Sequence, residues 1–212
     1  MLNRRPISLT AGMVAAAALT AGALISSSAH AEAAIGEVAP AFTGLTSSGE
    51  TISLDDFAGK TVVLEWTNDG CPFVKKHYAE PPENMQGMQR DTAEDEIVWI
   101  SVISSAPGKQ GYADAERANE LTTSRGAAPA YVILDPEGEM GRAYDAKTTP
   151  HMYVIDGDGM LQYQGAIDSI SSARVGDIEK ADNYVTAALD DMAAGQPVQT
   201  ASTKAYGCSV KY

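Results

Sequence analysis

Thr61-Val62-Val63-Leu64-Glu65-Trp66-Thr67-Asn68-Asp69-Gly70-Cys71-Pro72-Phe73-Val74-Lys75-Lys76-His77-Tyr78 is the stretch on which the fold turns. Its first six residues are rich in β-branched types and mostly apolar, and they predict a strand. Thr67 to Gly70 form a loop. Pro72 suits the first position of a helix, which Phe73 to Ala79 continue and Pro81-Pro82 interrupt. Cys71 therefore stands at a helix start. Free N–H groups and partial positive charge there favour a thiolate, below the free-cysteine pKa of ~8.5. A thiolate is the nucleophile in disulfide exchange and in peroxide reduction. Lys75 lies roughly 40° around the helix from Cys71 at ~100° per residue and is expected to add positive charge. His77, roughly 120° away, is a poor base for a Cys–His pair and is expected at the surface.

Upstream, Arg4 and Arg5 precede an apolar run from Ala11 to Ile25, which ends in Ala29-His30-Ala31. A positive start, a short apolar middle and an A-x-A end predict a signal peptide over residues 1–31. The run is too short and alanine-rich for a span of ~20 apolar residues. An exported chain, periplasmic or otherwise extracytoplasmic, is the expectation, with no stable membrane insertion after cleavage. The formal charge is −13. Loss of Arg4 and Arg5 takes it to −15, which argues against nucleic acid and anionic membranes as partners. The remaining length suits one domain, residues 32–195, followed by a tail, residues 196–212, that carries Cys208. Export places Cys71 and Cys208 where thiol pairs tend to oxidise.

Downstream of the first helix, a second is expected from Glu83 to Arg90, a strand from Glu96 to Ser104 and a helix from Tyr112 to Ser124. A strand from Ala130 to Leu134, a short helix from Glu139 to Tyr144 and a hairpin of His151–Ile155 with Leu161–Ala166 follow. Ile178, Ala181, Tyr184, Val185, Ala188, Leu189 and Met192 recur at helical spacing and predict a last helix capped by Asp177. A small hairpin of Phe42–Leu45 with Thr51–Leu54 precedes the first long strand. The alternation predicts an α/β fold, a sheet with helices on both faces.

The Leu64–Tyr78 segment resembles the strand, loop and helix start of thioredoxin-fold redox proteins. More closely, it is similar to the exported peroxiredoxin-like branch of the alkyl hydroperoxide reductase and thiol-specific antioxidant (redoxin) family. Ala39-Pro40-Ala41-Phe42 and Leu54–Lys60 resemble that family's N-terminal extension. Thr148-Thr149-Pro150-His151-Met152-Tyr153-Val154-Ile155-Asp156 resembles its cis-proline strand, and Tyr206–Tyr212 its tail. The resemblance implies a thioredoxin-like central mixed sheet flanked by helices, with an N-terminal β-hairpin extension and a C-terminal tail. It also implies that Pro150 is cis and faces Cys71, that Thr149, Pro150 and Pro72 face a substrate or partner, and that His151 lies near the thiol.

The chain departs from the family at informative places. Val74 stands where thioredoxins carry the second cysteine of Cys-x-x-Cys. Leu64 and Asn68 stand where peroxiredoxins carry a proline and a hydroxyl residue. Cys208 is then the one candidate resolving cysteine. It forms a turnover disulfide with Cys71, or a structural one worth ~4–5 kcal/mol by loop closure, or it remains a separate thiol on a mobile tail. Three functions follow. The first is an exported thiol-dependent oxidoreductase, acting on a peroxide or protein disulfide, with Cys71 as nucleophile and an exported thiol–disulfide partner as electron donor. The second is a non-catalytic binding protein using the cis-proline groove. The third is a copper-handling protein with Cys71, His151 and Met152 as soft ligands. No cofactor is expected: no nucleotide-binding glycine motif is present, and two cysteines with His77 and His151 make no closed metal site.

Overall fold

The computed structural model describes Met1 and residues 33–212; the signal-peptide expectation lies outside the described residues. The chain runs β1 (Thr43–Thr46), β2 (Thr51–Ser53), a 3-10 turn (Leu54–Phe57), β3 (Val62–Trp66), α1 (Pro72–His77), α2 (Asn84–Glu94) and β4 (Val98–Ile103). It continues through α3 (Ala115–Ser124), β5 (Tyr131–Leu134), α4 (Glu139–Ala143), β6 (Thr148–Thr149), β7 (His151–Ile155) and β8 (Leu161–Gly165). A 3-10 helix (Val175–Lys180), α5 (Tyr184–Ala193) and β9 (Cys208–Ser209) complete it.

β3 sits at the heart of the sheet, ordered β2-β1-β5-β4-β3-β7-β8. It pairs parallel with β4 and antiparallel with β7. Alternation along a strand sends successive side chains to opposite faces. Val62, Leu64 and Trp66 pack one core with Ile100, Val102, Tyr144, Tyr153 and Ile155. Val63 packs the other with Trp99, Met152, Val154, Val74 of α1, Met85 of α2 and Val185 of α5, and Cys71 belongs to this second core. On the first face Trp66, Tyr144 and Tyr153 stack with centroids 5.1 to 5.4 Å apart. The Trp66 indole donates to Ser104 at 2.9 Å. The thioredoxin-like mixed sheet with flanking helices is thus present, with its N-terminal hairpin and C-terminal tail. Among the described residues no helix is long and apolar enough to cross a membrane.

Glu65 is the exception on the apolar strand. Fully buried, it accepts hydrogen bonds from Tyr78 (2.9 and 3.0 Å), Trp99 (3.0 Å), Ser101 (3.0 Å) and Gln89 (3.3 Å). Burial raises its pKa, against the pull of those donors.

Some expected boundaries moved. α2 runs on to Glu94. α3 begins at Ala115, because the Asp114 side chain accepts from the Arg117 N–H and caps it there. The last helix is split: Val175–Lys180 is 3-10, and α5 starts after Asn183, whose side chain accepts from Val185 and Thr186 N–H. Ile178 and Ala181 lie outside α5, and Asp177 is no cap. It instead accepts from Ser172 (2.7 Å) and Arg174 (3.0 Å).

His77, expected at the surface, is wholly buried, with Nδ1 2.9 Å from the Asn84 amide. A period argument on α1 misplaced it because the Asp168 segment covers that face. His151 is 8% exposed and packs on Tyr153 at 4.6 Å. Burial lowers both imidazoles to about 4, with Lys76 adding to the effect on His77 and Asp168 opposing it; for His151, Asp145 opposes burial and Lys147 reinforces it. The unfolded chain then binds more protons than the folded one between the ordinary histidine pKa and about 4. The stabilisation is complete above that window and is lost as pH falls through it. Melting curves from pH 7 to 4 should show a Tm that drops by about 5–15 °C, and His151→Gln should remove part of that slope. A Tm constant across the window contradicts two buried neutral histidines.

Candidate functional site

Cys71 is the N-cap of α1, in extended backbone conformation, with Pro72 at the first helical position. The loop before it is braced across the surface. The Asn68 side chain accepts from Gly70 N–H (2.8 Å) and donates to the Gln110 carbonyl (3.2 Å), while the Gln110 amide donates to the Gly70 carbonyl (3.0 Å). The residue that replaces the peroxidase hydroxyl therefore shapes the turn that presents Cys71. Sequence reasoning noted Asn68 only as a departure, since its partner lies 42 residues away.

The Cys71 side chain is inaccessible to solvent, and its thiol donates to the Thr149 carbonyl at 3.1 Å. The Thr149–Pro150 peptide is cis, as the family resemblance implies. Thr149 is the residue to which the tail attaches: β6 and β9 pair antiparallel, with Thr149 opposite Cys208 and Thr148 opposite Ser209. The tail comes this close because residue 207 is glycine. Its φ is +133°, and a Cβ there would lie 2.0 Å from the Thr149 oxygen. Tail contacts continue on both sides of β9. Thr203 N–H donates to the Gln164 carbonyl (3.1 Å), Val210 N–H to the Lys147 carbonyl (3.0 Å) and Ala106 N–H to the Lys211 carbonyl (2.8 Å). In this structure the tail that carries Cys208 is paired at Thr149.

Cys71 and Cys208 are both free thiols. Burial pushes the Cys71 thiol up. The Cys208 thiol, the Val74 and Cys208 N–H groups and the Thr149 hydroxyl outweigh burial and hold it below its ordinary value. Cys208 moves the other way: burial and the adjacent Cys71 push it up to about 11. The two neighbouring thiols are thus shifted in opposite directions, Cys71 down and Cys208 up.

Other expected participants lie elsewhere. Lys75 is exposed; the lysine turned inward is Lys76, which pairs with Asp168 at 2.7 Å. His151 projects to the opposite face of the sheet from Cys71, since its neighbour Met152 shares the Cys71 core. The soft ligand set Cys71, His151 and Met152 is thus divided by β7. Arg125 stacks over Tyr78 at 4.8 Å and Arg142 over Tyr212 at 4.7 Å, so both guanidinium groups are engaged with rings.

Comparison with known proteins agrees with this geometry. The sequence profile of the AhpC/TSA family matches residues 35–164. Sporulation thiol-disulfide oxidoreductase A of Bacillus subtilis is 26% identical over 134 residues, 63% of this chain and 75% of that protein. An uncharacterized conserved protein from Geobacillus kaustophilus shares the fold with a TM-score of 0.71 at 23% identity, covering 84% of this chain and 92% of that one. A putative protein disulfide isomerase from Bacteroides thetaiotaomicron gives a TM-score of 0.54 at 18% identity, covering 79% and 92%. A thioredoxin-like sheet, a cysteine at the first helix start facing a cis-proline, and a profile match over most of the domain lead to one assignment: the chain belongs to the AhpC/TSA family.

Proposed function

We propose that this protein is an exported thiol–disulfide oxidoreductase in which Cys71 is the nucleophile and Cys208 the resolving cysteine. The observation that carries the reading is that Thr149 holds both thiol-bearing segments: its carbonyl accepts the Cys71 thiol at 3.1 Å and its strand edge pairs with Cys208. In the first step the Cys71 thiolate attacks a substrate disulfide. A Cys71–substrate disulfide forms and the substrate's other sulfur leaves as a thiolate. In the second, Cys208 loses its proton and attacks the Cys71 sulfur. The Cys71–Cys208 disulfide forms and the substrate leaves fully reduced. An exported dithiol donor then reduces the pair through the reverse exchange.

Peroxide is the second substrate this site supports, through the family membership and the thiolate. Cys71 would take one peroxide oxygen to give a sulfenic acid and release an alcohol or water; condensation with Cys208 would then expel water. Asn68 in place of a hydroxyl, and Arg125 and Arg142 engaged with the Tyr78 and Tyr212 rings, favour disulfide over peroxide. An occupied Thr149 edge speaks against a binding protein that presents an open groove, and the division of Cys71 from His151 speaks against copper handling. Residues 1–31 act in this reading as a cleaved signal peptide, residues 32–195 as the redox domain and 196–212 as the tail that delivers Cys208.

Two measurements test it. With one equivalent of a small disulfide, the mature protein should lose two thiols and yield a Cys71–Cys208 disulfide on peptide mapping. Cys208→Ser should stop at the mixed disulfide and Cys71→Ser should not react; a Cys71 inert to both disulfide and peroxide rejects the proposal. Separately, the rate of Cys71 alkylation against pH should give an apparent pKa below the ordinary cysteine value. Cys208→Ala should raise it, because the thiolate then loses the S–H donor.

A further inference from the structure

Behind the two thiols lies a buried polar cluster that the exchange steps above do not use. Lys76, five residues along α1 from Cys71, is 1% exposed. Its ammonium donates to Asp168 Oδ2 at 2.7 Å, to the Ile170 carbonyl at 3.3 Å and to the Tyr206 hydroxyl at 3.4 Å. The Tyr206 hydroxyl donates in turn to Asp168 Oδ1. The Tyr206 ring lies edge-on to Phe73 of α1 at 5.8 Å and beneath the Lys76 ammonium at 5.7 Å. Asp168 is itself buried and, among the described residues, is the one carboxylate facing Lys76 within ion-pair distance; His77 Nε2 stands 3.7 Å from it.

The cluster's connections are informative. Lys76 and Phe73 belong to the short helix capped by Cys71. Tyr206 lies two residues before Cys208 on the tail. A buried ion pair contributes little net stability compared with apolar residues of similar size, because desolvating two charges offsets their attraction. Its distinctive property is directional: it accepts one hydroxyl in one place. Here that hydroxyl belongs to the segment carrying the second thiol.

We infer that Tyr206, held by Asp168 and Lys76, is a positioning residue that latches the tail to the nucleophile's helix and sets Cys208 against Cys71 for the resolving step. The inference rests on the reading of Cys208 as resolving cysteine. It accounts for two properties together. With the latch closed, Cys71 is shielded from solvent while Cys208 is held at high effective concentration. Opening the latch exposes Cys71 and at the same time dilutes Cys208. The two chemical steps should therefore respond to its loss in opposite directions, which a merely structural role of the hydroxyl does not produce.

The test uses the aromatic disulfide 5,5′-dithiobis(2-nitrobenzoic acid) in excess over the reduced mature protein, followed by release of the coloured thiolate. Attack by Cys71 leaves a Cys71–aryl mixed disulfide and frees one aryl thiolate. Attack by Cys208 on the Cys71 sulfur forms the intramolecular disulfide and frees the second. Tyr206→Phe keeps the ring against Phe73 and removes only the hydroxyl. The first phase should accelerate several-fold and the second should slow about tenfold, as expected for loss of one charge-assisted hydrogen bond. Restoring tyrosine restores both. Wild-type rates in both phases of Tyr206→Phe overturn the latch while leaving Cys208 as resolver. A second equivalent from wild type released by a second aryl exchange at Cys208, with no intramolecular disulfide on mapping, overturns the resolving role itself and the latch with it.

Discussion

The backbone of Thr149 is the point on which this site depends. Its carbonyl accepts the Cys71 thiol, and its strand edge pairs with Cys208. A strand edge offers unpaired backbone groups to any strand that approaches. In this protein the approaching strand is the chain's own tail, and Gly207 is the residue that makes the approach sterically feasible. One residue thus supports the nucleophile and docks the segment bearing its partner, so the two thiols form a site although 137 positions separate them in the sequence.

That arrangement compensates for the loss of a local pair. With Val74 in the α1 position where Cys-x-x-Cys proteins carry a second thiol, the partner must arrive from elsewhere. A remote partner is useful only if its loop-closure cost is met by docking contacts. The tail has them along its length: Thr203 on Gln164, Val210 on Lys147 and the Tyr212 hydroxyl on the Ala146 carbonyl at 2.8 Å. The opposite shifts of the two sulfurs follow from the same docking, which brings the Cys208 thiol beside Cys71.

Much of the fold was legible in sequence because its signals are local. The mostly apolar, β-branched run of β3, Pro72 after Cys71 and the hairpin of His151–Ile155 with Leu161–Ala166 each specify structure within a few residues. Cys71 as the centre of the chemistry was legible for the same reason. What escaped depends on contacts between distant segments. Periodicity on a six-residue helix assigned the important charge to Lys75 and the surface to His77, whereas Asp168, 92 residues after Lys76, draws Lys76 inward and covers His77. The last helix looked continuous from Ile178, because apolar spacing carries no information on the Asn183 cap. The tail lacks helical or strand patterning over any length, and its place is set by one two-residue ladder and by scattered backbone and side-chain hydrogen bonds to other elements.

The central claim is that the tail is docked on the Thr149 edge in the reduced protein, holding both thiols in one site. Residue-resolved amide hydrogen exchange on the reduced mature chain tests it most directly. The Val210 and Thr203 amides, bonded to Lys147 and Gln164, should exchange at least about a hundredfold more slowly than in an unstructured peptide. Exchange of both at the rate of an unstructured peptide would contradict the account, since a tail free of Thr149 leaves Cys208 with no fixed relation to Cys71.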